Sequence, residues 1–317
     1  MLARVADSLF WMARYMERAA GAARILTINA RLAPCLDSDA SASPQLWEPL
    51  IAISGDRKRF SELYSQAGPV SVFEFLAFRA DNPHSILSCV RMVREHARGI
   101  RDRISRELWD EINSFHSLAV NFRPEDELET GPQRLCDAVK SGACRFIGVA
   151  RDTLPADETW HFLEAGRALE RAAITARIVD VEHGNTTPDA CVDDHRRWMA
   201  VLEAVSAYDF YLRRYHARVQ PDSAAELLVL DPRHPRSVRC NMKSLAGSLR
   251  AIGGTATGTL AAEAEGLTAA VCASLSCDRI EPLIARGLGS FLGQLQQHCR
   301  AIGEQIAHAY FYYPAPA

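Results

Sequence analysis

The sequence predicts an all-α fold, a multi-helix bundle built from two tandem, internally duplicated halves with a pseudo-twofold relation. Three observations predict it. The first is a repeated window: Arg14-Tyr-Met-Glu17-Arg18-Ala-Ala-Gly-Ala-Ala-Arg24-Ile-Leu26 returns as Arg167-Ala-Leu-Glu170-Arg171-Ala-Ala-Ile-Thr-Ala-Arg177-Ile-Val179, agreeing at 8 of 13 positions at an offset of 153 without a gap. The second is a set of later landmarks in the same order. Trp198, Tyr211 and Tyr215 follow Trp47, Phe60 and Tyr64 at an offset of 151, and Pro235-Arg236-Ser237-Val238 follows Pro83-His84-Ser85-Ile86 at 152, as Arg250 and Ile252 follow Arg98 and Ile100. The third is periodicity: apolar residues recur at helical spacing between short breakers, and strand patterns are almost absent. The halves divide as 1–153 and 154–317, packed as one unit.

Taken in order, a first helix is expected from about Ala3 to Leu32, stopping before Pro34. A small, polar loop follows through Asp37 to Ser43. Ser43-Pro44 reads as a cap and first turn opening a helix that carries Trp47, Leu50, Phe60 and Tyr64. Ser71-x-x-Glu74 has the form of a capping box for a short helix through Phe78. Asn82-Pro83 opens the next helix, running to about His116, with Val90, Val93, Ala97, Ile100, Ile104 and Leu108 on its apolar side. The segment Arg123 to Glu129 reads as a loop, and Gly131-Pro132 restarts a helix toward Ala150. The second Glu-Arg helix spans 157 to 182 and ends at the loop Gly184-Asn-Thr-Thr-Pro188. Leu227 to Leu230 reads as helix, Gly253 to Gly258 as a helix break, and late helices are expected at 256 to 275 and 279 to 311, the last capped by Asp278-x-x-Glu281.

Composition bounds the class. With 317 residues, 48% hydrophobic and 24% charged, the chain has material for a large core. A net charge of −3 excludes a polyanion-coating nucleic-acid binder. No apolar run reaches the roughly 18 residues of a membrane span. Asp7 and Arg14 interrupt any signal core, and nine cysteines without a C-x-x-C pair fit reduced thiols, so a cytoplasmic protein is expected. Of the 36 basic residues only Lys58, Lys140 and Lys243 are lysines. Genome composition explains such a bias, and so does planar, bidentate recognition of carboxylate or phosphate, which lysine performs poorly.

The repeated windows carry the candidate site. At helical spacing Arg14, Glu17, Arg18, Gly21 and Arg24 share a face, and Arg167, Glu170, Arg171 and Arg177 repeat it, opposite an apolar face containing Met12, Met16, Ala19 and Leu26. Phe10, Ile25, Leu163 and Ile178 flank the charges, an apolar frame that implies partial burial and hence partners. Two readings stand side by side. In one, the Glu-Arg residues are ion-paired braces. In the other, two Glu-Arg helices meet across the pseudo-twofold and surround one cleft that binds a carboxylate, phosphate or peptide terminus, or tunes Glu17 or Glu170 for acid/base catalysis. Ser85 and Ser237, at the starts of two expected helices, are candidate anion ligands together with Arg236, with helix capping as the competing account. Arg91, Arg94, Arg98 and Arg101 also share a face; i,i+4 pairing with Glu95 and Asp102 explains most of it, and Arg98 stands apart because it recurs as Arg250.

Other chemistry finds no support. Glu158-x-x-His161 has the spacing of half a di-iron site without the second half. Gly253-Gly-Thr-Ala-Thr-Gly258 lacks the lysine and preceding strand of a phosphate loop, and no nucleophile elbow is present. No metal or cofactor is expected.

The opening Leu2-x-Arg4-Val-Ala6-x-x-Leu9-Phe-Trp11-x-x-Arg14-Tyr15-x-Glu17-Arg18-Ala, the run Asn82-Pro83-x-Ser85 through Arg98, Arg101, Ser105, Glu107, Trp109 and Asn113, the second Glu170-Arg171 and Pro235-Arg236-Ser237 resemble the alpha-E family, bacterial all-helical proteins named for a Glu-Arg motif. The resemblance covers nearly the whole chain and implies Arg14, Glu17, Arg18, Glu170 and Arg171 as signature positions. Asp81 and His84 stand at variable places, and 253 to 275 is unusually rich in Ala, Gly and Thr. The resemblance further implies a genomic setting beside a circularly permuted ATP-grasp protein and a transglutaminase-like peptidase, hence an amide-bond-forming or peptide-modifying system. Three roles follow. One is a component that binds a small-molecule or peptide carboxylate, or a phosphate, in an Arg/Glu-lined cleft. Another is a structural scaffold for the ATP-grasp ligase, and the third is a stand-alone enzyme using Glu17 or Glu170.

Overall fold

Two long helices organise the chain, and both are buried nearly all round. The computed structural model describes residues 1–35, 38–185, 194–253, 259–277 and 279–311. Helix α1 (Ala3–Leu32) runs its expected length and ends in a 3-10 turn, Ala33–Cys35, at Pro34. Its buried residues, from Val5 to Leu32, point in every direction around the helix axis. The charged stripe is buried as well: its residues face other helices, as their apolar frame implied, which is the pattern of a central helix.

Around it the chain continues through α2 (Ser38–Ala42), α3 (Pro44–Ser54), α4 (Arg57–Leu63), α5 (Pro69–Ala77), α6 (Ile86–Gly99), α7 (Arg106–Val120), α8 (Pro124–Thr130) and α9 (Gln133–Thr153). The second central helix, α10 (Glu158–Gly184), begins at an Asp157 cap whose carboxylate accepts from Thr159 N at 2.8 Å. Then follow α11 (Asp194–Ala204), α12 (Tyr208–Tyr215), α13 (Pro221–Leu230), α14 (Val238–Gly253), α15 (Thr259–Ser274), α16 (Glu281–Ala285) and α17 (Leu288–Tyr310). No strand occurs among the described residues.

Several boundaries differ from expectation for identifiable reasons. The helix expected from Pro44 through Tyr64 breaks at Gly55, whose φ of 84° ends α3 in the left-handed conformation. The helix expected from Pro83 to His116 becomes α6 and α7, because Ser105 caps a new start by accepting from Leu108 N at 3.0 Å. Asn82 is not the cap of α6. Its side chain donates to Phe75 O and accepts from His84 N, shaping the turn, while Ser85 accepts from Ser88 N. Ser71 supplies the reciprocal half of a capping arrangement, accepting from Gly68 N, so α5 starts earlier than Ser71. The expected loop at 123–129 is mostly α8, whose proline occupies the first turn beside three acidic residues, Glu125, Asp126 and Glu127. Gly287, at φ 96°, divides the last expected helix into α16 and α17. Asp278, Pro188 and residues 254–258 lie outside the described residues.

The centre of the fold is the α1–α10 packing. Contacting residue numbers rise together, from Phe10 with Gly166 to Gly21 with Ile174, so the two helices run side by side in the same direction. Gly166 permits the approach: a Cβ there would lie 2.2 Å from the Phe10 carbonyl oxygen. Helix α1 also packs on α6, α9 and α11, and α10 on α3, α14 and α17, so each central helix touches elements from both halves of the chain.

Candidate functional site

The parallel register of α1 and α10 brings the two Glu-Arg motifs together, and they exchange partners. Arg18 meets Glu170 along one guanidinium edge, Nε to Oε1 at 2.8 Å and Nη2 to Oε2 at 3.0 Å. Arg171 meets Glu17 in the same fashion, Nε to Oε1 at 2.9 Å and Nη2 to Oε2 at 2.7 Å. Each glutamate then receives a second arginine. Arg14 Nε donates to Glu170 Oε2 at 2.8 Å, and Arg236 Nη1 donates to Glu17 Oε1 at 2.9 Å. The carboxylates are buried, 3% exposed for the Glu170 side chain and 6% for Glu17, while Arg14 and Arg236 retain 17% and 14%.

Burial pushes the pKa of Glu17 up, but Arg171 and Arg236, with Arg167 further off, outweigh it and hold the carboxyl far below the usual range. Glu170 behaves alike: burial is overcome by Arg18, Arg14 and Arg177. Carboxylates so held stay ionised and are poor proton acceptors near neutral pH. Acid/base chemistry at either glutamate is disfavoured on this ground.

Arg167, Arg98, Ser85 and Ser237 are expected site residues that the structure places outside the paired cluster. The Arg167 guanidinium pairs within its own helix with Glu164, Nε to Oε2 at 2.6 Å, and Ser244 Oγ also donates to that carboxylate at 2.6 Å. Arg98 lies outside the cluster altogether: it pairs with Glu95 and keeps 67% of its side-chain surface exposed. Ser85 and Ser237 are fully buried caps, Ser237 Oγ accepting from Cys240 N at 3.1 Å and donating to Asp231 O. Neither hydroxyl points into open space.

Two arginines not foreseen as site members complete the centre, although the repeated windows contained them. Arg24 donates to Ala204 O at 2.6 Å and to Ser206 Oγ at 3.1 Å, at the C-terminal end of α11. Arg177 lies with Nη1 3.2 Å from the position of a Cβ on Gly55, just past α3. Neither makes an ion pair among the described residues, and the buried Nε of each lacks a hydrogen-bond partner. The carboxylates that act on them are Glu17 for Arg24, and Glu170 and Asp56 for Arg177. Burial lowers the pKa of both, and it lowers that of Arg236, where Glu17 opposes the shift and Arg171 and Arg24 add to it. Six guanidiniums thus surround two carboxylates in a protein of net charge −3.

Among the described residues no group of three metal-ligating side chains is placed to hold an ion, and no helix is long and apolar enough to cross a membrane. Fold and site together define an all-helical protein built on an interhelical arginine–glutamate centre. The chain belongs to the Alpha-E family, described as a predicted alpha-helical domain with a conserved ER motif, which matches residues 1–311. It is similar to uncharacterised proteins of Mycobacterium bovis and Mycobacterium tuberculosis, at 26% identity over 272 residues in each of two comparisons. Those matches cover 80% of this chain but 30% of the relatives, so the chain spans about a third of their length. No solved structure matches.

Proposed function

We propose that the protein is a ligand-presenting component of a peptide-modifying or amide-bond-forming system, receiving a carboxylate- or phosphate-bearing ligand at the arginines that rim its Glu-Arg centre. The supporting observation is stoichiometric. Each glutamate is already engaged on both oxygens by one bidentate arginine, and a second, Arg14 or Arg236, is in surplus at each and reaches solvent. Uncompensated cations held in an apolar frame favour an anion. Glu17 and Glu170 position arginines in this reading and do not react. An ATP-grasp ligase and a transglutaminase-like protein are the proposed partners, the ligase supplying the nucleotide site for which this chain has no motif. In the mycobacterial relatives most of the polypeptide lies outside the match, which fits a helical unit working within a larger protein.

The two halves, 1–153 and 154–317, are proposed to be duplicates related by a twofold axis parallel to α1 and α10. The register supports this. Arg18 with Glu170 and Glu17 with Arg171 are separated by 152 and 154 residues, centred on the repeat offset.

A second reading makes the centre a brace for a scaffold, favoured by the reciprocity of the same pairs. Thermal unfolding of wild type and of an Arg14→Gln/Arg236→Gln variant separates the two. Both glutamates keep their bidentate partners in the variant, so it folds. A ligand at 100 times its dissociation constant adds about 2.7 kcal/mol, a rise of roughly 4 °C for a chain this long. Phosphate, amino acids or short peptides should produce such a rise in wild type and not in the variant. If no compound shifts either protein, or the shift survives in the variant, the brace reading stands.

A further inference from the structure

A cavity of about 610 Å³ opens between the start of α1 and the end of α17, and it adjoins Arg14. Trp11 lines it, and the Arg14 guanidinium lies over the Trp11 ring at 4.5 Å. On α17, Arg14 Nη1 lies 3.4 Å from the position of a Cβ on Gly303, and Ala307, one turn further on, lines the cavity. Along α1, Arg4, Asp7, Trp11 and Arg14 are spaced three, four and three residues apart and share one stripe. Asp7 is half-buried in the wall and makes no ion pair among the described residues. Burial pushes its carboxyl pKa up, against the His96 ring and a hydrogen bond from Trp11. Burial also holds His96 below its ordinary value, so that imidazole is uncharged at neutral pH and leaves the Asp7 carboxylate unbalanced. Arg4 stands exposed at the rim, likewise without an ion pair among the described residues. At the other end of the stripe Arg14 donates to Glu170 through Nε alone, and its Nη groups make no hydrogen bond among the described residues. Between the two charges the walls are apolar. Leu2, at 57% the most exposed large apolar side chain described, stands there with Ala307 and Phe311.

We infer that the ligand at the Arg14 end of the centre is a short peptide with a free amino terminus and an apolar first residue, its ammonium at Asp7 and its carboxylate at Arg14. The inference rests on the reading of Arg14 as a surplus cation for an anionic ligand. A partly buried carboxylate without an ionic partner favours a cation, as a surplus guanidinium favours an anion. Seven residues separate Asp7 from Arg14, about 10 Å along the helix axis. An extended chain spans at most about 3.3–3.6 Å per residue, so roughly three residues bridge the two charges and a single amino acid does not. The first side chain then covers Leu2, Ala307 and Phe311, removing exposed apolar surface from water.

The test is isothermal titration calorimetry with Leu-Ala-Ala, its N-acetyl form, its C-terminal amide, free leucine and inorganic phosphate. Wild type should bind the tripeptide at least tenfold more tightly than either blocked form or free leucine. Asp7→Asn removes the charge that meets the ammonium, and Ala307→Leu fills the apolar wall without changing charge. Each should weaken the tripeptide tenfold or more and leave phosphate binding unchanged, whereas Arg14→Gln/Arg236→Gln should lose both ligands. Absence of tripeptide binding overturns the inference, and so does binding that tolerates acetylation, the amide, Asp7→Asn or Arg14→Gln/Arg236→Gln. If the tripeptide fails while phosphate still binds wild type and not the Arg14→Gln/Arg236→Gln variant, the anion reading stands and only the peptide assignment falls. If neither ligand binds, the anion reading falls with it.

Discussion

Replacing Glu17 with Gln tests the brace at its most determined point. The carboxylate accepts from Arg171 through both oxygens and from Arg236 through one, in surroundings where its side chain is 6% exposed. Removing one member of a buried ion pair costs on the order of 3–5 kcal/mol, since the partner charges remain. The amide retains one acceptor oxygen, so the lower end, about 3 kcal/mol, is expected at pH 7, a large part of a typical domain's 5–15 kcal/mol. The pH dependence identifies the charge itself. The folded-state pKa of Glu17 is depressed, so its contribution is complete above the unfolded value of about 4.3 and is lost as pH falls toward the folded value. Between pH 4 and pH 3 this residue carries most of a proton in the unfolded chain, whose pKa there is about 4.3, and almost none in the folded chain. Wild type therefore loses about 1.2 kcal/mol from this group that the Gln variant does not lose. Urea unfolding followed by tryptophan fluorescence, with the fully buried Trp198 as an internal reporter, measures both proteins at pH 7, 5, 4 and 3. The gap should be widest at neutral pH and narrow below pH 4. A gap that stays constant through acid, or one under 1 kcal/mol at pH 7, refutes the claim that an ionised Glu17 ties α10 to α1.

Gly166→Ala should destabilise by 3 kcal/mol or more, because the new Cβ meets the backbone of Phe10, while Gly21→Ala should cost far less, the obstruction being the movable Cδ1 of Ile174 at 2.6 Å. Comparing the two melting temperatures checks it. Ser237→Ala should cost about 1–2 kcal/mol through loss of the α14 cap and its bond to Asp231 O, as measured by urea unfolding, and thermal unfolding should show the ligand-induced Tm shift unchanged.

Long helices were legible because their signals agree. In α1 the apolar spacing, the uninterrupted Ala-rich stretch and Pro34 all mark the same ends, and α10 differs from expectation by only one or two residues at each end. Short elements were harder, since polarity and helical caps compete for the same residues: Pro124 with Glu125, Asp126 and Glu127 reads as loop by composition and forms the first turn of α8. Periodicity tells which residues share a face; that another helix covers the charged face was legible only through its apolar frame, Phe10, Ile25, Leu163 and Ile178. That Arg18 would meet Glu170 and not Glu17 was beyond reach, as the choice depends on the register between helices 152 residues apart. Arg98 shows the converse: recurrence at the repeat offset marks a residue for attention, yet an exposed pair with Glu95 satisfies it.

The two ends of the centre reach the same stoichiometry by different routes, and the difference bears on what is being maintained. At the repeat offset, Glu164 stands where the first half has Trp11. Arg14 stacks over the Trp11 ring at 4.5 Å and remains free to reach Glu170. Arg167 instead meets Glu164 on its own helix, which leaves Glu17 short of a second arginine. Arg236 fills that place from the turn before α14, where the first half has His84, which turns away to Asp56 with Nδ1 2.9 Å from its carboxylate. A brace alone needs only the bidentate arginine at each glutamate. The second guanidinium comes from the turn before α14 at one end and from the α1 face at the other, which supports the proposal of surplus positive charge at both glutamates.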